Sequence, residues 1–337
     1  MSDSVSLGHP RPHAVERRGG AARTVAVAAV AGVAALALPL VLDAYFLTLM
    51  LPFFAYGVAL LGLNLLFGYA GLLSFGQALF LGIGAYTAAI FTSRLGIRQM
   101  EAVLLVSAVA SAIVAAGVGA ICVRYVKIYF GLLTLAFGML FYTFVLKFYD
   151  LTGGDQGIRV SQPLLLGSKW GSTDMVTFLT GPYYYYCLTL LVILGYTMWR
   201  IVNSPFGLSL RAARDNPTKA ESLGIAVRKY RWWAFVIAGI YGGIGGAMLG
   251  PIAGNTDPTV TYWTQSGNLV FMTLLGGFTN FFGPLVGAFV FIFLQDRIMA
   301  IVPYWRLVFG VILVLIVVFA PSGLIGLITG LRRKEVR

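Results

Sequence analysis

The segment 68–77 places polar side chains and glycines together inside a long apolar stretch. It reads GYAGLLSFGQ, with three glycines around Ser74 and Gln77. Glycine permits tight or non-helical backbone, and such backbone at membrane depth is tolerated only where protein buries it or where it lines a watery cavity. Broken helices of this kind recur in transport sites. The segment is therefore either a helix break inside the membrane or an ordinary turn between two helices.

The polar loop 200–231 contains a second segment of interest, which has the capping residues of a short helix. Asn216 is a good helix N-cap, Pro217 suits the first helical position, and Gly224 suits the residue just past the helix end. These residues predict a helix over 217–223. A helix of this length is too short to be stable alone, so neighbouring segments must hold it, and it could fit a groove in a partner protein. A solvated basic loop is the alternative.

The remaining chemistry-bearing residues exclude several function classes. No Gly-x-x-x-x-Gly-Lys-Ser/Thr motif occurs, so we assign the chain no ATP site, and any ATP and Mg²⁺ are expected on partner subunits. We predict no catalytic residues and no metal site, because His, Cys and carboxylates do not cluster. Ionisable residues are nearly absent from the apolar stretches, which disfavours a proton relay and favours a neutral or zwitterionic cargo.

The segment 68–77 and the loop 200–231 are positioned by long uncharged stretches of the chain. Only 11% of the 337 residues are charged, against about 25% in a soluble domain. A bilayer-spanning helix needs roughly 20 apolar residues, so the two longest stretches can hold two helices each and the others one. The expected fold is an all-α, polytopic membrane bundle of about ten spans, including Gly-interrupted or half-length helices. The uncharged stretches are 24–42, 44–93, 102–123, 128–146, 175–199, 232–256, 258–295 and 307–331.

The basic residues predict the orientation of this bundle. With both termini in the cytoplasm, 17 of the 24 Lys and Arg residues lie inside, as the positive-inside rule requires. The predicted organisation is a cytoplasmic tail at 1–23, a membrane domain at 24–331 that contains the cytoplasmic loop 200–231, and a second tail at 332–337. The net charge of +12 then attracts anionic membrane lipid, and no basic patch interleaved with aromatic residues suggests nucleic-acid binding.

Small residues mark further packing positions. The segment 276–284 reads GGFTNFFGP and faintly resembles 68–77, with Pro284 suited to the first turn of a following helix. Stripes of small residues at helical spacing let helices approach closely. We expect these stripes to pack within the subunit or against a second subunit; they are Ala78, Gly82, Ala85 and Ala89, and Gly239, Gly243, Gly246 and Gly250.

Three ordered runs resemble one protein family, over roughly 44–331. They are GYAGLLSFGQALFLGIGAYTAA at 68–89, YFGLLTLAFGMLFYTFV followed by LTGGDQGI, and the loop SPFGLSLRAARDNPTKAESLGI. Together they resemble LivM-type permease subunits of branched-chain amino acid ABC importers. The resemblance implies a multi-pass protein of the bacterial inner membrane. It also implies four partner chains: a LivH-type second permease, two cytoplasmic ATPases and a periplasmic amino-acid-binding protein.

The same resemblance implies roles for individual residues. The loop is similar to the coupling segment of importer permeases, in which a short helix that ends in Gly docks onto the ATPase. The general pattern is Glu-Ala-Ala-x-x-x-Gly, and this sequence keeps the Gly but not the full acidic-small-small start. The resemblance also places Ser74 and Gln77 near the translocation path. The implied coupling residues are Arg211, Asn216, Ala220, Glu221, Leu223 and Gly224.

The cargo stays open at this stage. Branched-chain amino acids or related amino acids are the expectation, and similar permeases move urea or short amides. An autonomous secondary carrier, which would work without ATPases, is a further alternative.

Overall fold

The computed structural model describes residues 32, 35–40, 42–125, 128–168, 174–319 and 323–326. The chain divides into two compact units, residues 1–43 and 44–337. In the first unit, the described residues include a short 3-10 helix, Leu38–Leu40. The predicted first span, 24–42, falls largely outside the described residues, and both predicted tails fall wholly outside them.

The second unit is almost entirely helical. Helix α1 continues without interruption into a π-helical turn, Leu65–Ala70, and α2 continues into another, Ile90–Arg94. The helices are α1 Ala44–Asn64, α2 Gln77–Ala89, α3 Met100–Cys122, α4 Ile128–Lys147, α5 Tyr149–Thr152, α6 Met175–Phe178, α7 Tyr184–Val202, α8 Pro205–Asp215, α9 Pro217–Ser222, α10 Val227–Ala253, α11 Trp263–Gly276, α12 Gly283–Ile301 and α13 Trp305–Phe319.

Six helical segments of the described chain are long and apolar enough to cross a membrane. Three other apolar helices are shorter: α2 has 13 residues, α11 has 14 and α13 has 15. The helical membrane bundle expected from the sequence is thus present, while the count of ten spans and the orientation of the termini stay predictions. The six segments are Ala44–Ala70, Met100–Cys122, Ile128–Lys147, Met175–Val202, Val227–Ala253 and Gly283–Ile301.

Helix α10 is the centre of this unit. It packs against α1, α2 and α3, and most of its length is buried. Its glycines permit the contact: a Cβ on Gly246 would lie 2.0 Å from the carbonyl oxygen of Leu81, and one on Gly239 would lie 2.6 Å from the Cβ of Ala115. The small-residue stripe of α10 therefore packs within the subunit, as the sequence predicts.

The two ends of the helices carry different connections. At one end, strand β1, Ile158–Arg159, pairs antiparallel with β2, Asn255–Thr256, just after α10 ends. Helices α8 and α9 lie at the other end, between the last residue of α7 and the first turn of α10. The basic loop 200–231, which carries seven of the 24 Lys and Arg residues, is therefore remote from the strand pair.

Candidate coupling loop and helix break

The loop between α7 and α10 contains two helices, of which the sequence predicted one. The predicted helix is confirmed as α9, Pro217–Ser222, with Leu223 as its C-cap. The Asn216 side chain accepts a hydrogen bond from the backbone N–H of Lys219 at 3.0 Å, and Gly224 has a φ of +84°, as a residue past a helix end often does.

Helix α8 was missed, although its start is visible in the sequence. Ser204 and Pro205 begin it just as Asn216 and Pro217 begin α9, with proline in the first turn. Of its two arginines, Arg211 was among the implied coupling residues, whereas Arg214 was interpreted only as topological charge. Helix α8 has a strongly amphipathic sequence, and its buried side includes Leu210 and Ala213.

Helix α9 presents part of its surface outward. The Leu223 side chain is 81% exposed, and Asn216, Glu221 and Gly224 are exposed beside it. An exposed leucine at the tip of a short polar helix can bury apolar surface only against another molecule or a rearranged part of the chain. This end of the loop therefore has the shape and polarity of a docking element.

The opposite side of α9 is packed. Ala220 is buried and forms an apolar cluster with Ala213 of α8 and Val227 of α10, with Ile225 packed against it. Among the predicted coupling residues, Ala220 thus contacts the body of the protein. This cluster joins α9 to both neighbouring helices, α8 and α10.

Two arginines of α8 bind the end of α1. Arg211 donates a hydrogen bond to the carbonyl of Val202 at 2.7 Å, and its guanidinium lies 5.3 Å from the ring centroid of Tyr69, within the range of a cation–π contact. Arg214 donates to the carbonyl oxygen of Gly68 and pairs with Asp215 at 2.9 Å. Arg211 therefore faces the helix bundle, and both arginines fasten the loop to the glycine-rich segment.

The glycine-rich segment is a true helix break. The π-helical turn ends at Gly71, whose φ is +68°, and non-helical backbone follows until α2 begins at Gln77. Hydroxyl groups satisfy this backbone: Thr134 of α4 accepts from the N–H of Phe75 at 3.1 Å, and Ser74 accepts from the N–H of Gly76 at 3.3 Å.

The first turn of α2 is held by two distant helices. Ser266 of α11 accepts from the N–H of Ala78 at 2.8 Å, and the side-chain amide of Gln77 donates to the carbonyl of Ala238 at 3.0 Å. Ala238 lies 11 residues after the start of α10, or about 16 Å along its axis. The break is thus embedded among helices of the protein, while its depth in the membrane stays a prediction.

Ser74 and Gln77 are both fully buried at this break. The Gln77 oxygen, Oε1, has no hydrogen-bond partner within the described part of the chain. The fold therefore uses only the NH2 group of this amide as a hydrogen-bonding group. A place for these residues on a translocation path stays a prediction. Sequence reasoning missed the residues that hold the break, namely Tyr69, Thr134, Arg214 and Ser266.

The second glycine-rich segment lies against the first. A Cβ on Gly68 would lie 2.3 Å from the carbonyl oxygen of Phe278, and the rings of Phe67 and Phe278 meet edge to face with centroids 6.4 Å apart. The Asn64 amide donates to the carbonyl of Asn280 at 3.4 Å. The two breaks therefore form one junction at the end of the bundle that carries α8.

Comparison with known proteins identifies the family of the chain. Residues 45–317 match the family described as "Branched-chain amino acid transport system / permease component". The high-affinity branched-chain amino acid transport system permease protein LivM of Escherichia coli is 26% identical over 288 residues, which cover 79% of this chain and 66% of that protein. No solved structure matches the chain significantly.

Two other relatives differ in coverage and in cargo. The probable branched-chain amino acid transport permease protein LivM of Methanocaldococcus jannaschii is 25% identical over 331 residues, or 82% of this chain and 92% of that protein. The guanosine ABC transporter permease protein NupQ of Bacillus subtilis is 33% identical over 115 residues, which cover 33% of this chain and 35% of that protein.

Proposed function

Because this chain belongs to the branched-chain amino acid transport permease family, we propose that it is a membrane permease subunit of an ATP-driven, binding-protein-dependent importer. The observation that carries the proposal is the connection of the exposed helix α9, through α8, to the helix break at 68–77. A chain of this family is a transport component and not a catalytic enzyme. In the proposed complex, separate ATPase subunits bind ATP and Mg²⁺ and hydrolyse the nucleotide.

Helix α9 is the proposed contact with an ATPase. Leu223 would bury its exposed side chain in a groove of the partner, and Glu221 would add a charged contact at the rim. Asn216 and Gly224 fix the two ends of the helix through the cap and the left-handed turn. Such a preformed docking element loses little conformational entropy when it binds.

In the proposed mechanism, a displacement of α9 by the ATPase changes the position of the helix break at 68–77. The cluster of Ala213, Ala220 and Val227 moves α8 together with α9. Arg211 and Arg214 then pull on the end of α1 through Tyr69 and the carbonyl of Gly68. A partner that binds one arrangement of this loop more tightly than the other shifts the population between two states of the break.

The start of α2 is the proposed gate element. Its hydrogen bonds to Ser266 and to the carbonyl of Ala238 join α2 to α11 and α10, so a shift of the break changes the fit among these helices. In the alternate state, the free oxygen of Gln77 and the hydroxyl of Ser74 would become available to a polar solute. This proposal keeps both residues as components of the path.

The proposed assembly contains a LivH-type second permease, two cytoplasmic ATPases and a periplasmic amino-acid-binding protein in the bacterial inner membrane. Branched-chain amino acids are the first proposed cargo, in agreement with the transport systems to which the LivM relatives belong. Nucleosides are a second candidate because a guanosine permease is similar over a third of this chain. Urea and short amides are further cargoes to include in uptake assays.

Co-purification followed by reconstitution tests the proposal. The chain is tagged, extracted gently from its native membrane, and the proteins that accompany it in comparable amounts are identified by mass spectrometry. We expect an ATPase and a second permease. Proteoliposomes of the recovered complex, supplied with the binding protein, should accumulate leucine only with ATP, and unlabelled isoleucine should compete better than guanosine or urea.

Two results would overturn this function. Recovery of the chain alone, under conditions that keep a known importer intact, would favour an autonomous carrier. Transport by the purified chain without ATP would establish such a carrier directly.

A further inference from the structure

A groove of about 500 Å³ lies between the end of α3, α9 and the start of α10. Gly119, Ala120 and Val123 of α3 form an apolar wall, and Val227 and Trp232 of α10 form the wall opposite. The Trp232 indole is half-buried and donates its N–H to the carbonyl of Ala116 at 3.0 Å. The helix packing therefore holds the groove open with a fixed aromatic side chain.

The mouth of this groove is positively charged. Arg124, Arg228 and Lys229 line it, against Glu221 as its acidic residue, and all four side chains belong to exposed residues. Three cationic groups around one apolar groove favour a ligand that carries a negative charge on an apolar body.

The surroundings of the groove have the composition of a membrane interface. Tyr125 is 50% exposed and Trp233 is 45% exposed beside the basic residues. Aromatic rings of this kind mark the headgroup level of a bilayer. The charged mouth of the groove thus lies at the depth of phosphate groups.

An exposed apolar stripe on α3 leads away from the groove toward the other end of the bundle. Its large members are spaced by multiples of four residues, so they follow one i, i+4 ridge that winds along the helix surface. That ridge reaches the groove one turn before Arg124. The stripe consists of Leu105, Val109, Ile113 and Ile121.

We propose that the groove binds the headgroup of an anionic phospholipid, whose acyl chains lie along the stripe of α3. The phosphate and headgroup charge pair with Arg124, Arg228 and Lys229, and the glycerol backbone contacts Trp232. The lipid then lies next to Glu221 of α9. The site needs only that the chain spans a membrane, so it does not depend on the proposed cargo or on ATPase docking.

Photolabelling in defined vesicles tests the site. The full chain is reconstituted in phosphatidylcholine vesicles that contain a trace of either phosphatidylglycerol or phosphatidylcholine with a diazirine on its acyl chain. After irradiation, labelled peptides are mapped by mass spectrometry. We expect peptides from α3 to be labelled by phosphatidylglycerol about tenfold more than by phosphatidylcholine, because basic residues at the membrane surface attract anionic headgroups.

Two matched triple variants decide the outcome. Arg124→Gln, Arg228→Gln and Lys229→Gln together should reduce labelling by phosphatidylglycerol to the level of phosphatidylcholine. Arg98→Gln, Lys147→Gln and Arg159→Gln remove the same charge from exposed residues at the other end of the bundle and should leave it unchanged. Equal labelling by the two lipids, or equal loss in both triple variants, would overturn the site. Cross-linking of the groove residues to a partner protein, with no lipid label, would assign the groove to that protein instead.

Discussion

The glycine-rich segments 68–77 and 276–284 touch each other, yet they are held in different ways. Side chains from distant helices hold the first, through Arg214 on the carbonyl of Gly68, Thr134 on the N–H of Phe75 and Ser266 on the N–H of Ala78. Each of these contacts is a single hydrogen bond between a side chain and the backbone.

Direct backbone contact holds the second segment. A Cβ on Gly276 would lie 1.7 Å from the carbonyl oxygen of Gly283, and a Cβ on Gly287 would lie 1.8 Å from that of Met272. Backbones this close leave no alternative arrangement without separating α11 from α12, because packed interiors are not continuously deformable. We infer that the second segment is a fixed pivot against which the first segment moves.

The largest effect should follow a change at the pivot. A Cβ added by Gly283→Ala would lie 1.8 Å from the carbonyl oxygen of Gly277, and overpacking of this kind costs about 1–3 kcal/mol or more. We expect the amount of chain in the membrane to fall by about tenfold, measured by quantitative immunoblot. Gly267→Ala on α11, where a Cβ meets open space, is the control. Normal abundance of the Gly283 variant would refute the pivot.

A change at the docking end should spare folding but remove transport. Gly224 has a φ of +84° with open space around it, so Gly224→Asp adds a negative charge beside the exposed end of α9 without a clash. We expect normal abundance and abolished uptake of labelled leucine in cells. Gly224→Asn should retain most uptake, because asparagine tolerates left-handed backbone. Normal uptake with Gly224→Asp would count against docking through α9.

A milder change in the first segment is Arg211→Lys. Lysine keeps the charge but loses the planar group that lies over Tyr69 while bonding the carbonyl of Val202. We expect uptake to fall by roughly fivefold at unchanged abundance, which corresponds to about 1 kcal/mol. Arg200→Lys, at an exposed residue of α7, serves as the matched control. An equal effect of the two substitutions would show that the contact with Tyr69 is unimportant.

The smallest effect should come from Ser266→Ala. This substitution leaves the N–H of Ala78 without its hydroxyl acceptor, and the loss of such a helix cap costs about 1 kcal/mol. We expect a small decrease in the Tm of the purified chain in detergent, detected by circular dichroism. Thr264→Ala, at an exposed position of the same helix, should leave the Tm unchanged. Indistinguishable Tm values for the two variants would mean that Ser266 does not stabilise the break.

Features encoded by neighbouring residues could be predicted from the sequence. The order of Asn216, Pro217 and Gly224 predicts α9 because caps and turns act within a few residues. Pro284 likewise lies in the first turn of α12, as its position predicts. The small residues of α10 predicted close helix packing, although they could not identify α2 and α3 as its neighbours.

The partners of the helix break could not be predicted in this way. Arg214 and Gly68 are 146 residues apart, and Ser266 and Ala78 are 188 residues apart, so no local pattern links them. The role of Arg214 was also overlooked because the positive-inside rule by itself explains why basic residues occur in this loop. Only the fold separates the arginines that hold the break from those that face solvent.

The central claim is that α8 transmits the work of an ATPase to the break, and Arg214→Ala tests it most directly. ATP hydrolysis and leucine uptake are measured together in proteoliposomes of the whole complex, with Arg200→Ala as the control. The account predicts hydrolysis within about twofold of the unmodified complex and uptake lower by about tenfold, because a charged hydrogen bond contributes roughly 1.5–3 kcal/mol. Unchanged uptake, or hydrolysis and uptake falling together, would contradict transmission through this residue.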